Sequence, residues 1–486
     1  MAEALWSWSA LLAAAGGESD GAPQVPITGF SIDTRTLEPG DVFVALKDRR
    51  DGHEFVTRAF EAGAAAALVC RDYRRQPQDK ALLRVADPLQ ALAAVARSAR
   101  ARLSSQARVL AVTGSVGKTG TKEMLRACLA RLGAVHASEK SYNNLWGVPL
   151  TLARMPEATR FAVLEIGMNH AGEIAPLTRL VRPHVAIVTT VAPVHLEFFS
   201  SVEAIAEAKS EIFLGLERDG SAVLNRDNPH FELLAARARS RCASIVSFGS
   251  HSRAEVRRER LELEPTGSRL LVSVAGRRIE YALNVPGEHI ADNSLAVLAA
   301  LHALDLDIER AAAAFSTLEA TPGRGARVTL RAPGGSILLI DESYNANPAS
   351  MRAALAALAL VPRDRYPRRV AVLGDMLELG AGAAALHLGL VDAIDAAGVD
   401  LVFAAGPNMR LLYDALEPWR RGHWAERSEA LARVLVAAVG AGDVVMVKGS
   451  LGSRMAPLVE ALMREHPRLA EAGRQRAGSG AATEEN

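Results

Sequence analysis

Short apolar runs separated by amphipathic stretches recur along the 486-residue chain, and in two long sections strand-like and helix-like patterns alternate. From Arg108 onward the runs Val109–Thr113, Phe161–Ile166, Val185–Thr190 and Ser221–Leu224 are β-rich, with helical spacing between them. Such alternation predicts a mostly parallel sheet. Between Ser244 and Leu283 the apolar period shifts toward two, in Arg269–Ala275 and Ile279–Leu283, which predicts a small antiparallel section. A helix over Ala291–Ala303 closes this block. Past Thr321-Pro322-Gly323-Arg324-Gly325 the alternation resumes with Ile337–Ile340, Val370–Leu373, Leu401–Ala404 and Val444–Val447. A second, Rossmann-like sheet is expected there, without the Gly-x-Gly-x-x-Gly turn that a dinucleotide site needs. Ahead of Arg108 lie strand-like Asp41–Leu46, a helix over Glu54–Gly63, strand-like Ala65–Val69 and a helix over Leu89–Leu103. The polar joint Ser104-Ser105-Gln106 marks a boundary.

The expected fold class is α/β in three domains, the division that a chain of this length favours. A small α/β N-terminal domain covers residues 1–106. A central P-loop-type domain, with a mostly parallel sheet and a small antiparallel section, covers 107–322. A C-terminal Rossmann-like domain covers 323–486, with a disordered tail over about 474–486.

The stretch Val109–Met124 joins an apolar strand to a glycine loop, Gly114-Ser115-Val116-Gly117-Lys118-Thr119, and then to a helix with Met124, Leu125, Cys128, Leu129 and Leu132 on one face. Glycines let backbone N–H groups close around phosphate oxygens, with Lys118 as a point charge and the Thr119 hydroxyl as a Mg²⁺ ligand. The longer P-loop pattern has a glycine where this chain has Val112, so an ordinary glycine-rich turn is the competing reading of this segment alone.

Composition narrows the class. Fifty-six basic residues balance 55 acidic ones, which disfavours a nucleic-acid or anionic-membrane partner. No apolar run reaches about 18 residues, so no membrane insertion is expected. Cys70, Cys128 and Cys242 lack metal-ligand spacing and read as reduced core residues of a cytoplasmic protein. The segment Met1–Gly17 reads as a short docked helix with a glycine stop rather than a signal peptide.

Three further residues stand at the loop's edge of the central sheet. Glu165 ends an apolar strand, where a second acid commonly holds Mg²⁺. The competing reading is a surface acid at a strand end. His195 follows the next strand and emerges on the same edge, as a ligand or as a structural histidine. Lys209 shares a helical stripe with Val202, Ile205 and Ile212, while Glu203, Glu207 and Glu211 lie opposite; Ser200 with Glu203 reads as a capping box. A buried ammonium is costly, so the amine is neutral, pairs with a carboxylate, has reacted with CO₂ to a carbamate, or snorkels to the surface.

Together these residues resemble the Mur ligase family of ATP-dependent amide-forming enzymes over nearly the whole chain. Further segments carrying the resemblance are Tyr142-Asn-Asn-Leu-Trp-Gly-Val-Pro149, Gly287-Glu-His-Ile-Ala-Asp-Asn293, Pro322-Gly-Arg324 and Asp341-Glu-Ser-Tyr-Asn-Ala-Asn-Pro348. The family's phosphate loop is itself the shorter form, so Val112 is no defect. The resemblance implies ATP and two Mg²⁺ ions, with Lys118, Glu165, His195 and Lys209 catalytic. Thr119, Glu165, His195 and a carbamylated Lys209 would be the metal set. Nucleotide contacts would come from Gly114, Ser115, Val116, Gly117, Lys118, Thr119, His289, Asn293, Arg324 and Asp341.

Four segments point to the family member that joins D-Ala-D-Ala to a UDP-N-acetylmuramoyl-tripeptide in peptidoglycan precursor synthesis. They are Ser31–Lys47 with Asp51-Gly52-His53, Asp341–Asn347, Val372–Gly380 and Val447–Ser450. The N-terminal domain would hold the UDP end, with Ser31, Thr34, Arg35 and Lys47; Lys47-Asp48 stands where the family commonly has Lys-Gly. Asn143, Asn144, Tyr344 and Asn345 would also touch substrate, and the C-terminal domain would carry D-Ala-D-Ala and close over ATP about Pro322-Gly323. A monomer is expected. The rivals are a folylpolyglutamate synthase-like ligase, which would lack the 31–53 segment, and a P-loop regulatory NTPase.

Overall fold

The apolar runs pair into three sheets, in a computed structural model that describes residues 4–139, 141–242 and 244–469. The chain divides into two compact units, Met1–Glu319 with Glu378–Ala381, and Ala320–Leu377 with Gly382–Asn486.

The first unit contains two sheets. The smaller has the strand order Glu18–Asp20, Ala81–Val85, Ala66–Cys70, Asp41–Val44, Gly29–Ser31, parallel except at its first edge. Helix Trp8–Ala15 packs on it, begun by the Ser7 side chain and ended by Gly16 in the left-handed conformation. The expected glycine stop is therefore present. Helix Pro88–Ala101 is started by Asp87, whose carboxylate accepts from Leu89 and Gln90 N–H, with Pro88 at the first turn.

The larger sheet has nine strands, in the order Arg277–Leu283, Gly267–Val274, Val256–Glu264, Ser244–Gly249, Ser221–Asn225, Val185–Val188, Arg108–Thr113, Phe161–Glu165, Val135–Ala137. It is parallel from Val256–Glu264 to Val135–Ala137 and antiparallel through the first three strands. The central strands have apolar interiors because helices cover both faces. All the parallel strands thus end on one edge, where the loops after Thr113, Glu165 and Val188 meet.

The second unit has six strands in the order Ala326–Ala332, Gly335–Glu342, Asp443–Lys448, Arg368–Gly374, Leu401–Ala405, Arg421–Ala425, with only the first antiparallel to its neighbour.

Some expectations are corrected. The helix carrying Lys209 is capped by Ser201, whose hydroxyl accepts from Ala204 N–H, and not by a Ser200/Glu203 capping box. Ser201 has the extended backbone that a cap requires, which shifts the start by one residue. The helix expected over Glu54–Gly63 is shorter, Val56–Glu61, preceded by a 3₁₀ turn at Gly52–Phe55. Cys128 is buried, but Cys70 and Cys242 are only half-buried; all three thiols are free. The disordered tail expected at about 474–486 lies outside the described residues. Among the described residues, no helix is long and apolar enough to cross a membrane.

One histidine of the central sheet makes stability depend on pH. His184 Nδ1 accepts from Val109 N–H at 2.9 Å. Burial, aided by the cationic Arg100 and Arg108, pushes its pKa down to about 4. In the unfolded chain the ring binds its proton near pH 6.5, so between about 6.5 and 4 only the unfolded state is protonated and stability falls as pH falls. His184→Asn keeps an acceptor and removes the titration. Urea midpoints at pH 7 and pH 5 are expected to show the variant losing less stability than the parent, by on the order of 1 kcal/mol.

Candidate nucleotide and metal site

The strand Arg108–Thr113 runs directly into the glycine loop and the helix Lys118–Ala130. Two glycines are required there. Gly114 has φ +150°, and a Cβ on it would fall 1.9 Å from Thr189 Oγ1. Gly117 has φ +84°, and a Cβ on it would fall 2.4 Å from Asn293 Oδ1. The loop is clamped by the segment after Val188: Ser115 N–H donates to Thr190 O at 2.8 Å, and Thr189 Oγ1 donates to Val116 O at 2.6 Å. Ser115 Oγ donates to Ala192 O at 3.0 Å and accepts from Ala192 N–H at 2.9 Å. Lys118 Nζ curls over the loop onto Gly114 O at 2.7 Å. The loop thus leads into the N-terminus of a 13-residue helix, where the helix dipole favours an anion.

Behind the loop, Thr119 Oγ1 donates to Glu165 Oε2 at 2.8 Å, and Asn143 Nδ2 donates to Glu165 Oε1 at 2.7 Å. Thr119 and Glu165 are both buried, so the carboxylate is no surface acid. Two hard oxygen donors this close suit Mg²⁺, which keeps several waters and completes its shell with phosphate oxygens. Among the described residues, no group of three His, Cys, Asp or Glu forms a metal cage.

His195 adopts φ +54°, unusual for a residue with a side chain, and its Nδ1 meets Glu378 Oε2 at 2.5 Å. Burial lowers the pKa of its imidazole, against the pull of Glu378 and with the help of the positive Lys118. Lys209 is 2% exposed. Burial, and then the charge of Lys118, hold its amine well below the usual lysine range. It has no hydrogen-bond or ion-pair partner among the described residues, which removes both the surface-snorkelling and carboxylate-pairing readings. A neutral amine is the nucleophilic form that CO₂ needs to make a carbamate, and a carbamate, unlike an ammonium, would offer oxygen donors to Mg²⁺.

The remaining nucleotide candidates divide between the units. In the first, His289 and Asn293 lie on the helix Glu288–Ala303, with the Asn293 amide against Gly117 and Gly120. In the second, Arg324 stacks its guanidinium 4.2 Å from the Tyr344 ring centroid. There Asp341 accepts from Gly323 N–H at 2.9 Å and Ser343 Oγ at 2.6 Å, which ties its carboxylate to the Pro322-Gly323 turn. Asn345 O accepts from the buried Lys448 at 3.0 Å, and Lys448 also pairs with Glu342 at 3.1 Å.

The candidate UDP residues are less closely built. Ser31 is buried, its hydroxyl engaged with Asp33 O at 3.0 Å, whereas Arg35 is exposed and paired with Asp33 at 2.6 Å. Thr34 is half-buried beside them. Lys47 is exposed and 3.3 Å from Asp51. Asn144 Oδ1 accepts from Gly147 N–H at 2.9 Å, just ahead of the helix Gly147–Ala153. The second unit also has a cavity of about 300 Å³ at the carboxyl ends of its strands, lined by Asp375, Gly406, Arg427, Ser428, Ser453 and Arg454.

Lys122, Ser138 and Thr189 were not singled out by spacing. Lys122 carries the signal that marked Lys209, a lysine on the apolar stripe of its helix with Leu125 and Leu129. Ser138 and Thr189 have no comparable signal, since each acts through a partner distant in sequence.

Two family models match the chain: the Mur ligase middle domain over residues 112–301, and the Mur ligase glutamate ligase domain over residues 323–451. The chain is 35% identical to the UDP-N-acetylmuramoyl-tripeptide–D-alanyl-D-alanine ligase of Escherichia coli, over 92% of this chain and 96% of that protein. It is also 35% identical to the Bacillus subtilis ligase of the same name, over 90% and 94%. The solved structure of MurF from Acinetobacter baumannii superposes with a TM-score of 0.81 at 30% identity, covering 94% of this chain and 99% of that one. MurF ligase from Thermotoga maritima, solved in complex with ADP, gives 0.72 at 25% identity, covering 90% and 98%. With family models over both its central and its C-terminal segments and relatives matched nearly end to end, the chain belongs to the Mur ligase family.

Proposed function

We propose that this protein joins D-Ala-D-Ala to a UDP-N-acetylmuramoyl-tripeptide in an ATP-dependent, ADP-forming ligation that runs through an acyl phosphate in the cytoplasm. The observation that carries the reading is the grouping behind the phosphate loop: Thr119 hydrogen-bonded to Glu165, with the amine of the buried Lys209 near enough to feel the charge of Lys118. A site that only hydrolysed ATP has no need of a buried, unpartnered lysine there. The names of the relatives supply the two substrates.

The labour divides along the chain. Residues 1–106 take the UDP end, with Ser31, Thr34, Arg35 and Lys47 as contacts, and Asn143 and Asn144 lie toward the peptide. Residues 107–322 hold ATP, with His289 and Asn293 toward the base. Residues 323–486 bring Arg324 to the phosphates and Asp341 to the ribose, with Tyr344 and Asn345 toward substrate. They also seat the dipeptide in the cavity at Arg427 and Arg454, whose cations suit its terminal carboxylate.

A carboxylate does not acylate an amine at neutral pH, because its oxygen is a poor leaving group. The terminal carboxylate of the tripeptide attacks the γ-phosphorus of ATP in line, forming a C–O–P linkage as the bond to ADP breaks. Lys118 releases its hold on the loop carbonyls and neutralises charge on the transferring phosphoryl group. Two Mg²⁺ ions, one held by Thr119 and Glu165 and the other by His195 and a carbamylated Lys209, would supply further charge neutralisation at the phosphate oxygens. The free amine of D-Ala-D-Ala attacks the acyl carbon. The tetrahedral adduct then loses a proton and expels phosphate, leaving the pentapeptide precursor.

ATP consumption measured with each acceptor alone and with both together separates the readings. Hydrolysis that requires both UDP-muramoyl-tripeptide and D-Ala-D-Ala supports this one. Turnover with folate and glutamate, or partner-stimulated hydrolysis without an amide product, supports the rivals.

A further inference from the structure

Lys122 is fully buried one helical turn beyond Thr119. Its ammonium donates to Ser138 O at 2.6 Å and pairs with Glu123 Oε1 at 2.8 Å. Ser138 is also buried, and its hydroxyl accepts the backbone N–H of Glu165 at 3.2 Å. The segment that follows Ser138 supplies Asn143, which holds the second oxygen of the Glu165 carboxylate and whose carbonyl accepts from Gly167 N–H at 2.8 Å. The ties form a closed circuit, from the phosphate-loop helix through Lys122 and Ser138 to Glu165, and back through Thr119 to the same helix.

Burying a cation in a helix–sheet seam costs several kcal/mol unless its hydrogen bonds are satisfied, and an apolar side chain of equal length would fill the space more cheaply. Packing alone therefore gives no reason for a lysine. Geometry does, because the helix and the strand Phe161–Glu165 each carry one of the two donors that must meet a metal ion at fixed separation. Thr119 and Glu165 are linked by one direct hydrogen bond, which an incoming metal would replace. The link through Lys122 and Ser138 persists when that bond opens.

We propose that Lys122 is a positioning residue for the metal–nucleotide site, holding the Glu165 strand end at a fixed distance from Thr119 so that both can bind one Mg²⁺ carried in with the nucleotide. This rests on the metal role given above to Thr119 and Glu165. Partners one step out from a metal's own ligands typically change metal affinity by about 10- to 100-fold when removed.

The test is calorimetric titration of the full chain with ADP, in excess MgCl₂ and in EDTA, for the parent and for Lys122→Met. Methionine keeps the length and loses the charge and the donor. Glu123 is not stranded by the change, since Arg126 also pairs with it at 2.7 Å. The variant is expected to bind ADP in EDTA as the parent does and to lose about tenfold or more of the Mg²⁺-dependent gain in affinity. If Lys122→Met does not fold, Ser138→Ala cuts the circuit at the Glu165 amide by removing a single hydroxyl, and the same loss is expected. A folded variant with a lower melting temperature but the parent's full Mg²⁺ gain makes Lys122 a packing residue and overturns the proposal. A parent protein whose ADP affinity ignores Mg²⁺ overturns the metal role itself, and the proposal with it.

Discussion

Lys209→Ala is expected to lose nearly all amide synthesis, and a short carboxylic acid in the buffer is expected to restore part of it. The side chain is buried and has no partner of opposite charge among the described residues, so as an ammonium it would only destabilise its surroundings. Its usefulness lies in the neutral amine. On the proposed reading that amine would attack CO₂, forming an N–C bond and releasing a proton to solvent, and a buried carboxylate would result. A small carboxylate diffusing into the space left by alanine would replace that group, which a packing defect would not allow. Activity and stability should also move in opposite directions. Lys209→Met, which fills the same volume without a charge to bury, should melt no lower than the parent in CO₂-free buffer while making no product. Full activity of Lys209→Ala, or a dead variant that no carboxylic acid rescues at any concentration, would remove the carbamate.

Lys118→Ala is expected to leave the fold intact and to lower kcat on the order of 100- to 1,000-fold, about 3–4 kcal/mol in the barrier. The lysine is half-buried and hydrogen-bonded to carbonyls of its own loop, so its loss does not open the core. Its removal should also raise the pKa of His195, since the cation of Lys118 is one of the groups holding that imidazole down. Steady-state kinetics at saturating ATP and both acceptors, with a melting curve as control, measure the first effect. Unaltered turnover would remove Lys118 from the transition state.

The residues behind these expectations differ in how far they were legible in the chain. The glycine loop was readable because strand, turn and helix are contiguous, and Lys209 because three- and four-residue spacing places it among Ile205 and Ile212. The middle strands announced themselves as apolar runs. The strand Val256–Glu264 did not, because its charged residues alternate across an antiparallel pair that is half open to water. Short edge strands such as Glu18–Asp20 and Val135–Ala137 carry too few apolar positions to stand out. Contacts between distant residues were the least readable. Glu165 meets Thr119 across 46 positions and His195 meets Glu378 across 183, and no local pattern encodes such pairings. Ser201 rather than Ser200 caps the Lys209 helix for a similar reason, since two adjacent serines offer the same chemistry and only backbone conformation chooses between them.

Whether the phosphoryl group passes to a carboxylate or to water is decided by the fate of oxygen. UDP-muramoyl-tripeptide labelled with ¹⁸O in its terminal carboxylate is incubated with the protein, ATP, Mg²⁺ and D-Ala-D-Ala, and the phosphate and the peptide product are weighed by mass spectrometry. Passage through an acyl phosphate sends one ¹⁸O into the phosphate and leaves the other in the new amide of a pentapeptide product. Phosphate without label, or ATP turnover without the pentapeptide, would contradict it.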